Sequence, residues 1–451
     1  MHGKTWSSNL LFLIAAIGTE AGIANVWKFS YLAGANGGGL FVALYFIAVI
    51  VIAAPALMAE MLIGRLGGRS VMGNMRMLAE RHGASRFWQS FGVLALVCIF
   101  LILGYYLVVC GWMLYYFVLS LTHGFAGTTV HSAAAMNAKM MASPAAMLAC
   151  SGAFVLATSF VVARGINRGI ERVAGVLTPL RFAILLGLFA YAVCFADVGA
   201  AARFLFTFDL SKLNGHIVIV AVGQAFFSLG IGVGTMMTMG AYMRAEYSIP
   251  RTVMTVAIAQ GLVALLSGLS IFPLVFHYGL EPAQGPALIF VTLPVAFAQM
   301  PGGAVFGALL FMLLSFAALT ATIVMLETIV AFLEEYTALS RPALAWLSGL
   351  ALWLSGFFTV LSFNRWRDVH PLQWLGLTSD KTIFDLLDYL TSNLLMPAGG
   401  LMVALMAGWA LSRDTVRREL GLGDGPAFRL WRGAVRYVVP VVVLILFISI
   451  Q

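Results

Sequence analysis

Three polar side chains interrupt the first long apolar segment of the chain, which is otherwise suited to cross a membrane. They are Glu20, Asn25 and Lys28, and Gly18 and Gly22 flank the carboxylate. Backbone polar groups cannot lack partners in hydrocarbon, so a break at this depth is tolerated only where it lines a cavity inside the protein. Ionisable residues at that depth usually face a pathway for an ion or a substrate. The alternative is a glycine-weakened helix whose polar side chains reach the interface, but Glu20 and Lys28 lie far from both segment ends.

A second apolar segment is interrupted in the same way. From Gly223 to Thr235 the sequence reads GQAFFSLGIGVGT, so four glycines lie around Gln224 and Ser228. Close helix packing explains one glycine pair, but not four beside two polar side chains. Each break frees N–H groups at a half-helix start, which suit a carboxylate, and carbonyl oxygens at a half-helix end, which suit a hard cation or an ammonium. Together the two breaks predict a site for a zwitterion and a cation.

The composition assigns the chain to the polytopic helical membrane proteins. Of its 451 residues, 61% are hydrophobic and 10% are charged. Several apolar runs exceed the ~20 residues that cross a bilayer as a helix. We predict an all-α membrane protein with about eleven transmembrane helices, called here the first to the eleventh span. These spans are predicted at 10–35, 39–62, 88–120, 145–163, 173–195, 214–242, 251–277, 303–333, 342–361, 382–411 and 431–450.

The basic residues predict the orientation in the membrane. If the N-terminus is cytoplasmic, the loops on that side carry seventeen Lys and Arg residues, and the opposite loops carry six. Cytoplasmic loops are enriched in these residues. We therefore expect a multi-pass protein of a bacterial-type inner (plasma) membrane, with a cytoplasmic N-terminus and an extracellular or periplasmic C-terminus. The net charge of +8 comes largely from these loops, so it indicates no nucleic-acid partner.

The two interrupted segments hold corresponding places in two halves of the chain. This arrangement is typical of transporters built from inverted repeats, with the substrate near the bilayer midplane. The predicted units are 1–195 for the first repeat, 214–411 for the second and 431–451 for the last span. The histidines form no i, i+4 pair and no phosphate-binding loop is present, so we expect no enzyme and no ATP-driven pump.

Several motifs resemble those of the neurotransmitter:sodium symporter family. NVWKFSY at 25–31, followed by NGGG at 36–39, is similar to the family's first-helix signature. The remaining matches are GQAFFSLG at 223–230, GP and FVTLP within 285–294, AALT at 317–320, FD and D within 384–388, and RGINRGIER at 164–172. The resemblance covers nearly the whole chain. It implies a bacterial member with a leucine-transporter-like fold, two inverted five-helix repeats, broken first and sixth helices, and Na⁺ as coupling ion.

The resemblance implies nine substrate-binding residues. They are Glu20, Ile23, Ala24, Tyr106, Phe227, Ser228, Gly230, Val233 and Met325. The substrate carboxylate would meet the amides near Ile23 and Ala24 and the hydroxyl of Tyr106. The amino group would meet carbonyls near Glu20 and the sixth-span break, and Phe227 would cover the pocket. Ala24 stands where glycine is usual, which favours a small substrate.

The resemblance also implies ion sites. The first sodium site is predicted from the carbonyl of Glu20 and the side chains of Asn25, Ser228 and Gln260. The second is predicted from the carbonyls of Gly18, Ala21 and Ala317 and the hydroxyl of Thr320. Ala321 lacks the hydroxyl that commonly completes the second site, so we expect weaker Na⁺ binding there. Tyr45, Gln224 and Ser228 match three chloride-site positions, but Ala264 supplies neither the serine nor the carboxylate usual at a fourth, so chloride dependence stays open.

Five residues match the family's gates. Lys28 and Asp388 correspond to the extracellular pair, which we expect to be looser because lysine lacks the planar fork of arginine. Trp6, Tyr242 and Glu335 match parts of the intracellular gate. Arg181, in the fifth span, we assign to packing or a buried pair.

Glu20 departs most from the family, where a small residue is usual. It could supply a fixed negative charge that replaces chloride, titrate and so couple transport to protons, or pair with a second positive charge on the substrate. It could also pair with Lys28 and only brace the break. We predict a Na⁺-coupled symporter of an amino acid or similar small zwitterion, working by alternating access and requiring no oligomer. The alternatives are a proton-coupled amine or amino-acid transporter using Glu20, and a channel-like or non-transporting relative.

Overall fold

Helices make up all the regular secondary structure of the described residues. The computed structural model describes residues 5–20, 22–26, 28–122, 124–280, 287–375 and 380–449. In this part of the chain, nine helices are long and apolar enough to cross a membrane. They are Gly39–Gly67, Arg86–Thr122, Pro144–Ala163, Ile166–Phe195, Ile249–His277, Gly303–Tyr336, Arg341–Ser362, Ile383–Ala410 and Pro426–Ser449.

The two remaining predicted spans are broken, as expected. The first consists of Asn9–Glu20, a short helix Ile23–Val26, and Lys28–Ala35. The sixth consists of Gly215–Ser228 and Thr235–Ala241, joined by a turn that carries three glycines with positive φ. With these two, the described residues contain the eleven predicted spans. Both interruptions lie where the glycines and polar side chains of the sequence predicted them.

Local sequence explains where the helices start. The Ser143 side chain accepts a hydrogen bond from the Ala146 amide, and proline follows at the first helical position. The seventh span begins in the same way, with Ser248 capping its first turn. Asn214 caps the first half of the sixth span by accepting from the Ile217 amide at 2.9 Å. Each cap gives a partner to an amide that has none inside the helix.

Two spans start five or more residues earlier than predicted, whereas the other early starts differ by one or two residues. The fifth begins at Ile166, directly after Gly165, whose φ of 82° turns the chain, instead of at 173. The eleventh begins at Pro426 instead of 431. Its first turns are amphipathic, and the buried Trp431 donates from Nε1 to the Pro55 carbonyl at 3.2 Å. Arginines on the opposite side of these turns lower the local hydropathy, which explains the missed residues.

Short helices connect several spans where we predicted only loops. They are Val71–Arg81, Val130–Met141, Val198–Phe206, Leu288–Gln299 and Arg413–Leu420. All are too short to cross a bilayer. Their amphipathic or interrupted patterns were therefore not recognised from apolar run length.

Apolar side chains face outward and polar side chains collect inside. On the ninth span, Leu347, Leu350, Leu354 and Phe358 lie at helical spacing and are each about half exposed. Buried polar residues, by contrast, occur close to the two breaks and include Asn25, Gln224, Gln260, Ser228 and Glu60. This distribution is expected of a bundle surrounded by lipid.

The turn in the sixth span packs backbone to backbone against the tenth span. Gly232 has a φ of +90°, which favours glycine, and a Cβ added there would overlap the carbonyl oxygen of Met396. Gly399, in turn, faces the backbone of Gly232. The backbones of the sixth and tenth spans therefore meet at a point where neither Gly232 nor Gly399 has room for a side chain.

Gly232→Ala should destabilise the protein because the new methyl group meets backbone and the backbone angle becomes strained. We expect a loss of about 2–4 kcal/mol, seen as a lower apparent melting temperature in detergent. Gly223→Ala is the matched control, because a Cβ at Gly223 has open space in the same span. Equal melting temperatures for the two variants would contradict the packing described here.

Candidate functional site

A cavity of about 100 Å³ lies between the two breaks. Seven of the nine predicted substrate-binding residues line it, Ile23 is not among the described lining residues, and the side chain of Ala24 lies outside the described structure. The described lining residues are Thr19, Glu20, Gly22, Ile102, Tyr105, Tyr106, Phe227, Ser228, Gly230, Val233, Thr235, Ala321, Met325 and Met396. The structure thus brings together residues from the first, third, sixth, eighth and tenth spans.

The amide side of this cavity is formed by the first-span break. Ile23 and Ala24 open the short helix that follows the break, so their N–H groups lie in its first turn and have no helical acceptor. Tyr106 faces the same place: its hydroxyl would lie 3.5 Å from a Cβ on Gly22 and interacts with the Ile23 amide. Two kinds of donor therefore converge where a carboxylate would be bound.

Some lining residues were missed from the sequence. Ile102 lies one helical turn before Tyr106, so the period of the helix could have indicated it. Tyr105 and Thr235 adjoin predicted elements in sequence. Met396 comes from the tenth span, and only the packing of that span against the sixth places it here.

The carboxylate of Glu20 faces the cavity beside the sixth-span turn. Its Oε2 would lie 3.0 Å from a Cβ on Gly230, whose φ is positive. Among the described residues, Glu20 and Lys28 form no ion pair; the Lys28 ammonium lies 3.9 Å from the ring centroid of Phe227. The structure therefore does not show the arrangement in which Lys28 and Glu20 only brace the break.

Phe227 separates this cavity from an outer one of about 310 Å³. Phe227 lines both cavities, a position compatible with the predicted role of covering the substrate. Lys28 lines this outer cavity, and Lys28 and Asp388 are not an ion pair among the described residues. Asp388 instead accepts from Tyr105 at 3.3 Å and from Ser392 at 3.0 Å. The two charges of the predicted outer gate thus make separate contacts in this structure.

The four residues of the first predicted sodium site are all buried, and hydrogen bonds join three of them, Glu20, Asn25 and Gln260. The Asn25 Nδ2 donates to the Glu20 carbonyl at 3.1 Å and to the Gln260 side chain. Its Oδ1 is buried and has no hydrogen-bond partner in the described part of the chain. Turning this amide in place brings Oδ1 toward the same two oxygens, which gives a set of uncharged oxygen ligands of the kind that a hard cation binds. The donor set fits Na⁺.

The second predicted sodium site is only partly formed. The Thr320 hydroxyl donates to the Gly18 carbonyl at 2.8 Å and lies 3.0 Å from the Ala317 carbonyl. Ala321 supplies no oxygen side chain, as noted from the sequence. The predicted ligand Ala21 lies outside the described residues.

The chloride-site positions are partly assembled. The Tyr45 and Ser228 hydroxyls hydrogen-bond at 3.0 Å, and Ser228 donates to the Gln224 carbonyl at 2.8 Å. Both side-chain polar atoms of Gln224 are buried without partners in the described residues. Ala264 is buried and apolar. Donors for an anion are therefore present, whereas the fourth position contributes none.

The intracellular gate residues are placed in separate contacts. Trp6 is buried, and its carbonyl accepts from Arg244 Nε at 2.9 Å. Tyr242 donates to Glu327 at 2.8 Å, and Arg341 also binds Glu327.

Glu335 does not join that cluster. It accepts from the Ser70 amide at 2.8 Å and from Arg69 at 3.5 Å. Arg244 and Arg341 were counted from the sequence only for topology, so their part in these contacts was missed.

Glu60 is a further residue that the sequence analysis missed. It is fully buried in the second span and accepts from the Gly232 amide at 3.1 Å. The amides of Gly234, Met236 and Met237 also interact with its carboxylate. A negative charge at this half-helix start is stabilised by the free amides and by the helix dipole. An acidic residue alone in an apolar segment was the available signal.

Comparison with known proteins gives a family assignment. The family model described as the sodium:neurotransmitter symporter family matches residues 3–143 and 133–450. The sodium-dependent transporter YhdH of Bacillus subtilis (strain 168) is 33% identical over 448 residues, covering 99% of this chain and 97% of that protein. A sodium-dependent transporter of Haemophilus influenzae is 32% identical over 461 residues, covering 99% and 98%.

The fold agrees with this assignment. The crystal structure of MhsT in complex with L-phenylalanine matches with a TM-score of 0.90 at 32% identity, covering 99% of this chain and 100% of that one. The predicted leucine-transporter-like fold is confirmed, and the sodium-dependent relatives confirm Na⁺ as coupling ion. The family consists of transporters and not of enzymes. The chain therefore belongs to the sodium:neurotransmitter symporter family.

Proposed function

We propose that this multi-pass membrane transporter carries an amino acid or similar small zwitterion together with Na⁺. The observation that carries the proposal is the buried Oδ1 of Asn25, which has no hydrogen-bond partner in the described residues and belongs to an amide whose Nδ2 donates to the carbonyl of the cavity-lining Glu20. At the same break, the amides that open the short helix and the Tyr106 hydroxyl suit a carboxylate. Cation and zwitterion would therefore share one break.

Sharing the break couples the two ligands. The Glu20 carbonyl would contact both Na⁺ and the substrate amino group, so each ligand raises the affinity for the other by the same factor. Opening of Phe227 would admit both from outside. Separation of Trp6 from Arg244, and of Tyr242 from Glu327, would release them inside.

An amino acid is the substrate class that the cavity supports best. MhsT, which shares the fold at 32% identity, is described in complex with L-phenylalanine. In this chain Ile102, Val233, Met325 and Met396 give the cavity an apolar end, opposite the amides of the break. The cavity volume favours a small or medium side chain. The excess of basic residues in alternate loops supports a cytoplasmic N-terminus, with 1–195 and 214–411 as the two repeats.

A second candidate function rests on Glu20. Its carboxylate lines the cavity and has no ion-pair partner among the described residues. It could therefore bind and release a proton during transport, or select a substrate with a second positive charge. Either role would give a proton-coupled or amine transporter instead.

Substrate binding should require Na⁺, and Asn25→Ala should lower the affinity of the protein for Na⁺. In a thermal-stability panel of amino acids and amines, we expect one compound to stabilise the purified protein only with Na⁺ and not with an organic cation. Asn25→Ala should raise the half-saturating Na⁺ concentration at least about tenfold. Asn36→Ala, which removes an amide bonded to the Leu32 carbonyl, should leave it unchanged. Stabilisation by a compound to the same extent with and without Na⁺ would contradict the proposal.

Tyr106→Phe should weaken substrate binding about tenfold, because it removes one hydrogen bond to a charged carboxylate. The half-saturating Na⁺ concentration without substrate should stay the same. Tyr116→Phe is the control, since its hydroxyl donates to the Phe290 carbonyl at 3.1 Å, away from the cavity. If both variants bind the substrate equally well, Tyr106 is not a carboxylate ligand.

Glu20→Gln separates the two candidate functions. The sodium proposal predicts no uptake into proteoliposomes without Na⁺ at either of two pH values, for the wild type and the variant. The second candidate predicts wild-type uptake without Na⁺ that grows with an inward proton gradient and disappears in Glu20→Gln. Glu80→Gln, a change at an exposed carboxylate, serves as the control.

A further inference from the structure

Arg181 is a buried cation in the middle of the fifth span. It is 3% exposed, and its guanidinium reaches the end of the first half of the first span. There its Nη1 donates to the Gly18 carbonyl at 3.3 Å, and its Nη2 donates to the Ile17 carbonyl at 3.5 Å. Both carbonyls lie in the last turn of Asn9–Glu20, the negative end of that helix, so the location favours a positive charge.

One of these two carbonyls belongs to the second predicted sodium site. The Gly18 oxygen accepts from Arg181 and also from the Thr320 hydroxyl at 2.8 Å. A carbonyl oxygen has two lone pairs, so both are engaged by donors of the protein itself. The same hydroxyl lies 3.0 Å from the Ala317 carbonyl. Two of the groups expected to bind a cation, the Gly18 carbonyl and the Thr320 hydroxyl, are thus already bonded to each other within the bundle.

The two predicted sodium sites differ in whether their hydrogen-bond donors can be exchanged for acceptors. Asn25 carries an oxygen on the same amide that now donates, and turning in place exchanges donor for acceptor. A guanidinium has five N–H donors, no acceptor, and a charge that it keeps. Ala321 adds no oxygen. Residues around Arg181 therefore do not fit a second Na⁺ while the guanidinium is there.

The position of Arg181 is fixed by its own helix. Thr178, one turn earlier, places its hydroxyl against Gly18, where an added Cβ would overlap it. The fifth span therefore lies directly on the break, and the guanidinium has little room to withdraw. A second cation at the same carbonyls would be repelled by it in a low-dielectric environment.

We propose that the Arg181 guanidinium takes the place of the second coupling sodium, so that one Na⁺, at Asn25, binds per protein. The inference rests on the proposed sodium-coupled function. A sodium ion at this place would leave during each transport cycle, whereas Arg181 stays attached to the protein. Coupling would then depend on the Asn25 site alone.

The test is equilibrium binding of ²²Na⁺ to the purified full-length protein, without substrate. We expect one Na⁺ per wild-type chain with a Hill coefficient near one. Asn25→Ala should bind Na⁺ at least tenfold more weakly, so that no saturable binding remains at the concentrations that saturate the wild type. Arg181→Met combined with Ala321→Ser, which removes the guanidinium and adds a hydroxyl, should bind a second Na⁺. Arg172→Met, an exposed change on the same helix, should still bind one.

The wild-type measurement decides the matter even if the double variant does not fold. Two Na⁺ per wild-type chain, or one Na⁺ retained by Asn25→Ala, would overturn the role of Arg181 and leave sodium-coupled transport intact. No saturable Na⁺ binding by the wild type would instead overturn the proposed function, and this inference with it.

Discussion

The structure depends on one constraint: backbone groups freed by two unwound helices in the middle of a membrane must find partners inside the protein. Water is absent there, so each free amide or carbonyl costs several kcal/mol unless it is bonded. Glu60 accepts from the Gly232 amide in the break of the sixth span. Arg181 and Thr320 donate to the Gly18 carbonyl at the end of the first half of the first span. These contacts allow two breaks to exist side by side in an apolar bundle.

What the protein leaves unpartnered indicates what it binds. Around the first break, the buried Oδ1 of Asn25 lacks a hydrogen-bond partner in the described residues, and the Ile23 amide meets only the hydroxyl of the cavity-lining Tyr106 among the described contacts. The unpartnered oxygen suits a cation, whereas the amide and the hydroxyl suit a carboxylate. Ligands would therefore complete the hydrogen bonding of the fold, which links their binding to its stability and to one another.

The sequence was informative wherever a residue type conflicted with its apolar surroundings. Glycines beside Glu20, Asn25 and Ser228 located both breaks, and run length located the uninterrupted spans to within a few residues in most cases. The partners of those breaks were less accessible. Arg181 was assigned to packing, and its contact with Gly18 depends on how the fifth span crosses the first, which no local pattern contains. The family resemblance predicted sodium ligands but gave no sign that Arg181 contacts one of them, the Gly18 carbonyl.

Uptake into proteoliposomes tests the central claim most directly. Purified protein would be reconstituted, and accumulation of radiolabelled L-phenylalanine, L-leucine and L-alanine would be followed with and without an inward Na⁺ gradient, at equal pH on both sides. We predict accumulation of at least one amino acid above its equilibrium level, lost when Na⁺ is equal on both sides or replaced by an organic cation. Accumulation that is unaffected by removing Na⁺, or no Na⁺-driven accumulation of any amino acid, would contradict the account.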